Sequence, residues 1–126
     1  MVPSSSPTVA RLTIPADAAY LGICRLAATG IADSVGLGDE QLADLQLAVS
    51  EVCADAILNS EDAATIEIVL RLPAEEIEVA VQSSGSVIRD LPELLTTLLG
   101  TLTTRWVFAE SDAGGACITF AVSRQR

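Results

Sequence analysis

The stretch LQLAVSEVCADA, residues 45–56, decides the fold class because its pattern is typical of the middle of a long amphipathic helix. We expect this helix to begin at Asp39, whose acidic side chain suits a first turn. Its apolar residues form one stripe: Leu42, Leu45, Val49, Val52, Cys53, Ala56 and Ile57. Beside the stripe lies a polar row, Glu51, Asp55 and Asn59, whose members are four residues apart and therefore share a helix face.

Strands and helices are predicted both before and after this helix in the sequence. A strand is predicted over Thr8–Ile14, and a helix capped by Asp17 follows it and stops at Gly36-Leu37-Gly38. After residue 64 apolar residues recur at every second position, which is typical of β-strands, and two such segments in succession predict a hairpin. Its two apolar rows are Ile66, Ile68 and Leu70, then Ile77, Val79 and Val81.

The remaining elements complete a two-layer architecture. We expect a third helix from about Leu91, with Pro92 in its first turn, and a final hairpin from Arg105–Glu110 and Ala116–Val122. This order predicts an α+β two-layer sandwich, with a mixed, mostly antiparallel sheet and three helices on one face. Residues 1–7 are predicted to be a flexible N-terminus and residues 8–126 a single domain.

Composition excludes several classes of function. Seven basic residues stand against seventeen acidic ones, a net charge of −10, which argues against nucleic-acid binding. With no histidine in the chain, Ser–His and Cys–His catalysis are excluded. Cys24, Cys53 and Cys117 are interpreted as small core residues. No signal-peptide pattern or membrane-length apolar run is present, so the expected location is the cytoplasm, without membrane contact.

Three segments resemble the bacterial switch-protein serine kinases, the anti-sigma factors built on the histidine-kinase-like ATPase (GHKL, or Bergerat) fold. These segments are IPA at residues 14–16, YLGICRL at 20–26, and the 45–56 stretch, which resembles the family's N box. The resemblance implies a domain that keeps a sigma factor away from RNA polymerase. It also implies binding of MgATP and phosphorylation of a serine on an anti-anti-sigma (STAS) partner, and it includes homodimers.

The resemblance assigns roles to the polar row. Glu51 matches the acidic N-box position, the candidate general base. Asp55 stands where the family has a magnesium-binding Asn, and is the candidate Mg²⁺ ligand because a carboxylate is a good oxygen donor. Asn59 continues the row as a further candidate for the nucleotide pocket. The alternative for all three is a solvated helix edge.

The other nucleotide motifs of the family match less well. Gly85 matches the glycine of the adenine loop, but Ser83 stands where an Asp should accept from the adenine amino group. A neutral acceptor makes a weaker hydrogen bond than a charged one. The glycine-rich lid has no counterpart, since residues 88–92 lead almost directly into the third helix, where Gly100 is a lone glycine. We therefore expect ATP and Mg²⁺ binding to be weak or lost.

Three functions remain open at this point. The first is an anti-sigma-like regulator that binds a sigma factor or a STAS partner, with a recognition surface on the first helix around Tyr20, Arg25 and Thr29, together with the sheet edge. The alternative for Tyr20 and Arg25 is that they cover the edge of the core. The second is an active serine protein kinase that uses Glu51 and Asp55. The third is a ligand-free dimerisation or scaffold domain, in which the apolar residues of 94–102 and 106–108 would drive self-association where they are exposed.

Overall fold

The computed structural model describes residues 6–84, 90–110 and 115–124. Within these ranges the strands are β1 (Thr8–Pro15), β2 (Thr65–Arg71), β3 (Glu76–Ser83), β4 (Arg105–Glu110) and β5 (Ala116–Ser123). The helices are α1 (Leu21–Ala32), α2 (Asp39–Leu58) and α3 (Glu93–Leu102), and a 3₁₀ turn at Ala18–Tyr20 precedes α1. The predicted α+β sandwich is confirmed. Of the predicted flexible N-terminus, residues 1–5 lie outside the described residues.

The sheet has the strand order β1-β2-β3-β5-β4. Every pairing between these described strands is antiparallel, whereas the sequence predicted a mixed, mostly antiparallel sheet. The reason is that β3 and β5 are joined through α3 and the edge strand β4, so the chain enters β5 from the direction opposite to β3. The predicted hairpins β2–β3 and β4–β5 both form.

Two helix starts differ from the prediction by a few residues. The Asp17 side chain accepts a hydrogen bond from Ala19 N at 2.9 Å, so it caps the 3₁₀ turn, and α1 itself begins only at Leu21. The third helix begins at Glu93, with Pro92 as its N-cap residue instead of Pro92 within the first turn. In both places the segment before the helix contains a proline, and it stays non-helical for a few residues more than the apolar pattern predicts.

One hydrophobic core lies between the helices and a single face of the sheet. From α2 it takes Leu45, Val49, Val52 and Cys53, which are fully buried. Alternate residues of the three inner strands meet them: Ile66, Ile68, Leu70, Ile77, Val79, Val81, Ile118, Phe120 and Val122. Buried leucines of α3 join the same core, and Trp106 and Phe108 pack against its edge. Most of the apolar residues proposed for self-association are therefore core.

The opposite sheet face carries a buried carboxylate. Glu78 is only 2% exposed, and Arg105 donates to its Oε1 at 3.1 Å while Arg71 lies 3.8 Å from its Oε2. Arg105 also pairs with Glu76 at 2.6 Å. Burial opposes the charged form of Arg105, but its hydrogen bonds to these two carboxylates leave the pKa of the guanidinium raised. A buried carboxylate is tolerated here because two cations compensate it.

The three cysteines separate into two environments. Cys24 of α1 and Cys53 of α2 are buried, as the sequence predicted. A hydrogen bond between their thiols lowers the pKa of Cys24 and raises the pKa of Cys53, which burial raises further. Cys117 is only half-buried, because its position in β5 alternates with the core residues Ala116 and Ile118. Desolvation raises the pKa of Cys117, so this thiol is not activated.

None of the helices in the described part of the chain has the length and apolar character needed to cross a bilayer.

Removing Arg105 should destabilise the protein more than removing a surface arginine. Arg105→Ala leaves buried Glu78 with Arg71 alone, so we expect a loss of about 1–3 kcal/mol in the free energy of unfolding. Arg11→Ala is the matched control: Arg11 pairs with Glu67 at 3.0 Å, but Arg11 is exposed and Glu67 is only partly buried, so the expected loss is below about 1 kcal/mol. Urea unfolding measures both, and equal losses would contradict the assignment of Glu78 as a compensated buried charge.

Candidate functional site

The polar row predicted from the sequence lies on one flank of the C-terminal half of α2. Glu51 and Asp55 are both partly exposed and line the same groove. Asn59 is the C-cap residue of the helix, and its Nδ2 donates to the backbone oxygen of Asp55 at 2.8 Å and lies 3.3 Å from Asp55 Oδ1. The structure therefore brings the three residues together, and the contacts described for Asn59 are those of a helix cap.

The groove beside this row runs between α2 and the start of α3 and has a volume of about 220 Å³. Its lining consists of Glu51, Ala54, Asp55, Leu58, Pro92, Leu94 and Leu95. Leu58 is 83% exposed and Leu94 is 68% exposed, which is unusual for two leucines that share one depression. Among the described residues that line it, none is basic and none is glycine.

The beginning of α3 offers little to an anion on this side of the groove. Pro92 is the N-cap residue, makes no side-chain cap hydrogen bond, and has no N–H to donate. Glu93 follows it and places a negative charge in the first turn, where it satisfies the positive end of the helix dipole. Glu51 and Asp55 supply carboxylate oxygens, the donor type that Mg²⁺ prefers. Within the described ranges, no group of three acidic, Cys or His side chains could hold a metal ion.

A second, inner cavity lies where Asp55 meets the sheet. Val52, Asp55, Ala56, Val81, Phe108, Ala116 and Ile118 surround it. Its volume is about 10 Å³, which is about the space needed for one water molecule. Phe108 comes from edge strand β4, is partly buried against the core, and lines this cavity together with Asp55.

Ser83, the candidate contact to adenine, is the last residue of β3 and is 1% exposed. Its Oγ lies 2.5 Å from Oγ of Ser60, which follows Asn59 after the end of α2. Because the Ser60 hydroxyl donates to Ala56 O at 2.6 Å, the proton between the two serines comes from Ser83. Ser83 therefore joins the end of β3 to the end of α2. Gly85 lies outside the described residues, as do residues 88 and 89 of the segment that stands where the family has its lid.

The possible recognition surface on α1 is only partly exposed. Tyr20 is half-buried and packs against the core. Arg25 is exposed, and its Nη1 donates to Ser50 Oγ on α2 at 3.2 Å. Thr29 uses its hydroxyl to donate to the backbone oxygen of Arg25 at 2.7 Å. Of these three residues, only Arg25 is exposed, whereas Tyr20 and Thr29 are partly buried.

Four residues of this region were not predicted as site residues: Leu58, Leu94, Ser60 and Phe108. Leu58 was detectable in principle, because it follows Glu51 and Asp55 at the spacing i, i+4, i+7 and so shares their face of α2. Leu94 and Phe108 carried no such signal, since their positions beside Asp55 depend on how α3 and β4 pack. The partnership of Ser60 with Ser83 likewise depends on tertiary contact.

Comparison with known proteins gives a consistent result. A profile of the histidine kinase-like ATPase domain matches residues 14–121. The chain is 33% identical over 76 residues to the "Serine-protein kinase RsbW" of Bacillus mycoides (strain KBAB4), an alignment that covers 59% of this chain and 48% of that protein. The protein of the same name from Bacillus velezensis is 32% identical over 85 residues, which is 65% of this chain and 53% of the relative. The chain thus spans about half the length of these curated relatives.

Two glycines test the close packing at Ser83. A Cβ on Gly115 would lie 2.6 Å from the backbone oxygen of Ser83, so Gly115→Ala should force the β3 and β5 ends apart and lower the free energy of unfolding by about 1–3 kcal/mol. Gly100→Ala is the control, since a Cβ at that helical position meets nothing within 4 Å and should stabilise by about 0.5–1 kcal/mol. Urea unfolding measures the change in both variants, and an unchanged free energy of unfolding in Gly115→Ala would contradict the close approach of Gly115 to Ser83.

Proposed function

Since this chain belongs to the histidine kinase-like ATPase domain family, we propose that it is an anti-sigma-type regulator that binds a sigma factor or a STAS-domain anti-anti-sigma protein. In this proposal ATP binding is weak or lost, and recognition of the protein partner is the activity. The similar proteins are named serine-protein kinases, which supports the kinase-type family but not the loss of ATP binding. A sigma-factor partner would place the protein in the cytoplasm of a bacterium.

The observation that carries the proposal is the chemistry of the groove beside Glu51 and Asp55. A nucleotide triphosphate needs backbone N–H groups, basic side chains or a metal to compensate its charge. The described lining supplies two carboxylates, which repel phosphate, and the apolar side chains of Leu58, Leu94 and Leu95. A Mg²⁺ ion held by the carboxylates would offset the repulsion, but it would leave the phosphate oxygens without donors from this lining.

The environment of Ser83 supports the same conclusion. The resemblance assigns to this position the acceptor for the adenine amino group. Ser83 is instead almost fully buried and bonded to Ser60. Replacing a charged acceptor by a hydroxyl and losing its contact costs about 1–3 kcal/mol, or about 5- to 150-fold in affinity. The cavity of about 10 Å³ beside Asp55 is also far smaller than the about 300–1,000 Å³ of ordinary ligand pockets.

One observation favours a second candidate, an active serine protein kinase. Glu51 and Asp55 lie one helical turn apart and face the same groove, which is the relation that the N box requires. In that case Glu51 would accept the proton of the attacking serine hydroxyl and Asp55 would hold Mg²⁺. The two candidates differ in one measurable property, the affinity for MgATP.

Calorimetric titration with MgATP and MgADP separates these candidates. We expect no heat of binding at millimolar nucleotide, with or without EDTA, because the described lining of the groove supplies no phosphate donors. Micromolar binding that disappears with EDTA, and also in Glu51→Ala and Asp55→Ala variants, would support the kinase instead. Transfer of labelled phosphate to a STAS-domain protein would then be the next assay. A nucleotide-binding member of the same family serves as the positive control.

The partner itself is tested with the sigma factors and STAS-domain proteins of the host genome. Each is titrated against the purified protein by fluorescence anisotropy, with and without MgATP. We expect at least one of them to bind, with a Kd that does not depend on nucleotide. Failure of the whole set to bind would contradict the regulatory function. The homodimer predicted from the family resemblance stays a prediction, and the mass in solution by light scattering decides it.

A further inference from the structure

The groove between α2 and α3 has properties that suit a peptide better than a small molecule. Its volume of about 220 Å³ is below the range of about 300–1,000 Å³ that encloses drug-sized ligands. Yet its lining is dominated by apolar side chains, and Leu58 and Leu94 remain largely exposed on it. A depression of this size between two helices can receive the protruding side chains of a third helix, as in helix-in-groove recognition.

The charge at the groove restricts what such a helix can carry. Glu51 and Asp55 are the only titratable groups among the described lining residues, and both are acidic. Glu93, in the first turn of α3, adds a third acidic side chain next to Leu94. A cationic segment gains Coulomb attraction here, whereas an acidic one is repelled. A second copy of this chain is a poor occupant by the same argument, because it has seventeen acidic and seven basic residues.

We propose that this groove docks an amphipathic helix of the partner protein, with leucine-type anchors packed against Leu58 and Leu94 and lysine or arginine side chains facing Glu51 and Asp55. The inference rests on the proposed function and adds the chemistry of the partner to it. Burial of the two exposed leucines supplies affinity, since each buries apolar area that water now covers. The two carboxylates supply orientation and favour a basic partner over an acidic one.

A model peptide tests the docking directly. The probe is a fluorescently labelled helix of about 18 residues, five turns, with leucines at i, i+4 and i+7 and lysines on both flanks. Two matched peptides carry glutamates in place of the lysines, or serines in place of the leucines. We expect micromolar binding of the first peptide by anisotropy, and binding of the other two that is weaker by roughly tenfold or more. Equal binding of all three peptides would overturn the proposal, as would no binding of the first.

Variants of the protein locate the docking site. Leu58→Ser and Leu94→Ser should each weaken the lysine peptide by roughly tenfold, and Glu51→Lys should weaken it and reduce its salt dependence. Leu26→Ser is the matched control, because Leu26 is 72% exposed on α1 outside this groove and its loss should leave Kd unchanged. If Leu26→Ser weakens binding as much as Leu58→Ser, the interaction is a general hydrophobic one and the proposal fails. Urea unfolding confirms that each variant is folded.

Three further outcomes distinguish this inference from the function on which it rests and from self-association. If a sigma factor or STAS protein binds and Leu58→Ser and Leu94→Ser leave its Kd unchanged, the docking site is wrong while the proposed function stands. If none of those proteins binds, the proposed function fails, whatever the model peptide does. If instead the wild-type protein self-associates and the double variant Leu58→Ser/Leu94→Ser is monomeric, the occupant is a second copy and the proposed partner helix is wrong.

Discussion

The packing of α2 against the central strands is the interaction on which the rest of this structure depends. Leu45, Val49 and Val52 have no exposed surface, and they meet the buried faces of β3 and β5. Successive residues of an α-helix are separated by 100°, so fixing Val52 toward the sheet also fixes the directions of Glu51 and Asp55. The candidate site is thus placed by the core, which directs its carboxylates toward the groove.

Most of the fold could be predicted from the sequence, because local patterns specify α2, the alternating strands and the two hairpins. The parts that could not be predicted depend on contacts between distant segments. The strand order β1-β2-β3-β5-β4 requires knowledge of how β5 crosses to β3. The turn between β2 and β3 also had no conformational signal, since Ala74 and Glu75 adopt positive φ angles of 24° and 61° without glycine or asparagine. The closing hydrogen bond from Glu76 N to Pro73 O helps to hold that turn.

The candidate site was predictable only in part, for the same physical reason. Glu51, Asp55 and Asn59 share a helix face by spacing alone, and the structure places them on one flank of α2. The burial of Ser83 and its bond to Ser60 come from the meeting of β3 with the end of α2, which no spacing rule encodes. The groove likewise exists only because α3 begins at Glu93 and brings Leu94 opposite Leu58.

The two faces of α2 carry different requirements, and this difference would let one helix serve both folding and the proposed recognition. Its buried face tolerates little change, because a cavity among fully buried residues such as Leu45 is costly. Its outer flank is less constrained: Leu58 is 83% exposed, and Asp55 and Glu51 are partly exposed, so substitutions there should change the proposed binding more than the stability. In the proposed function, such a scaffold would exchange a phosphate ligand for a peptide ligand through changes in surface residues alone. Glu51 and Asp55 would disfavour the first ligand and, together with the neighbouring leucines, would suit a basic amphipathic form of the second.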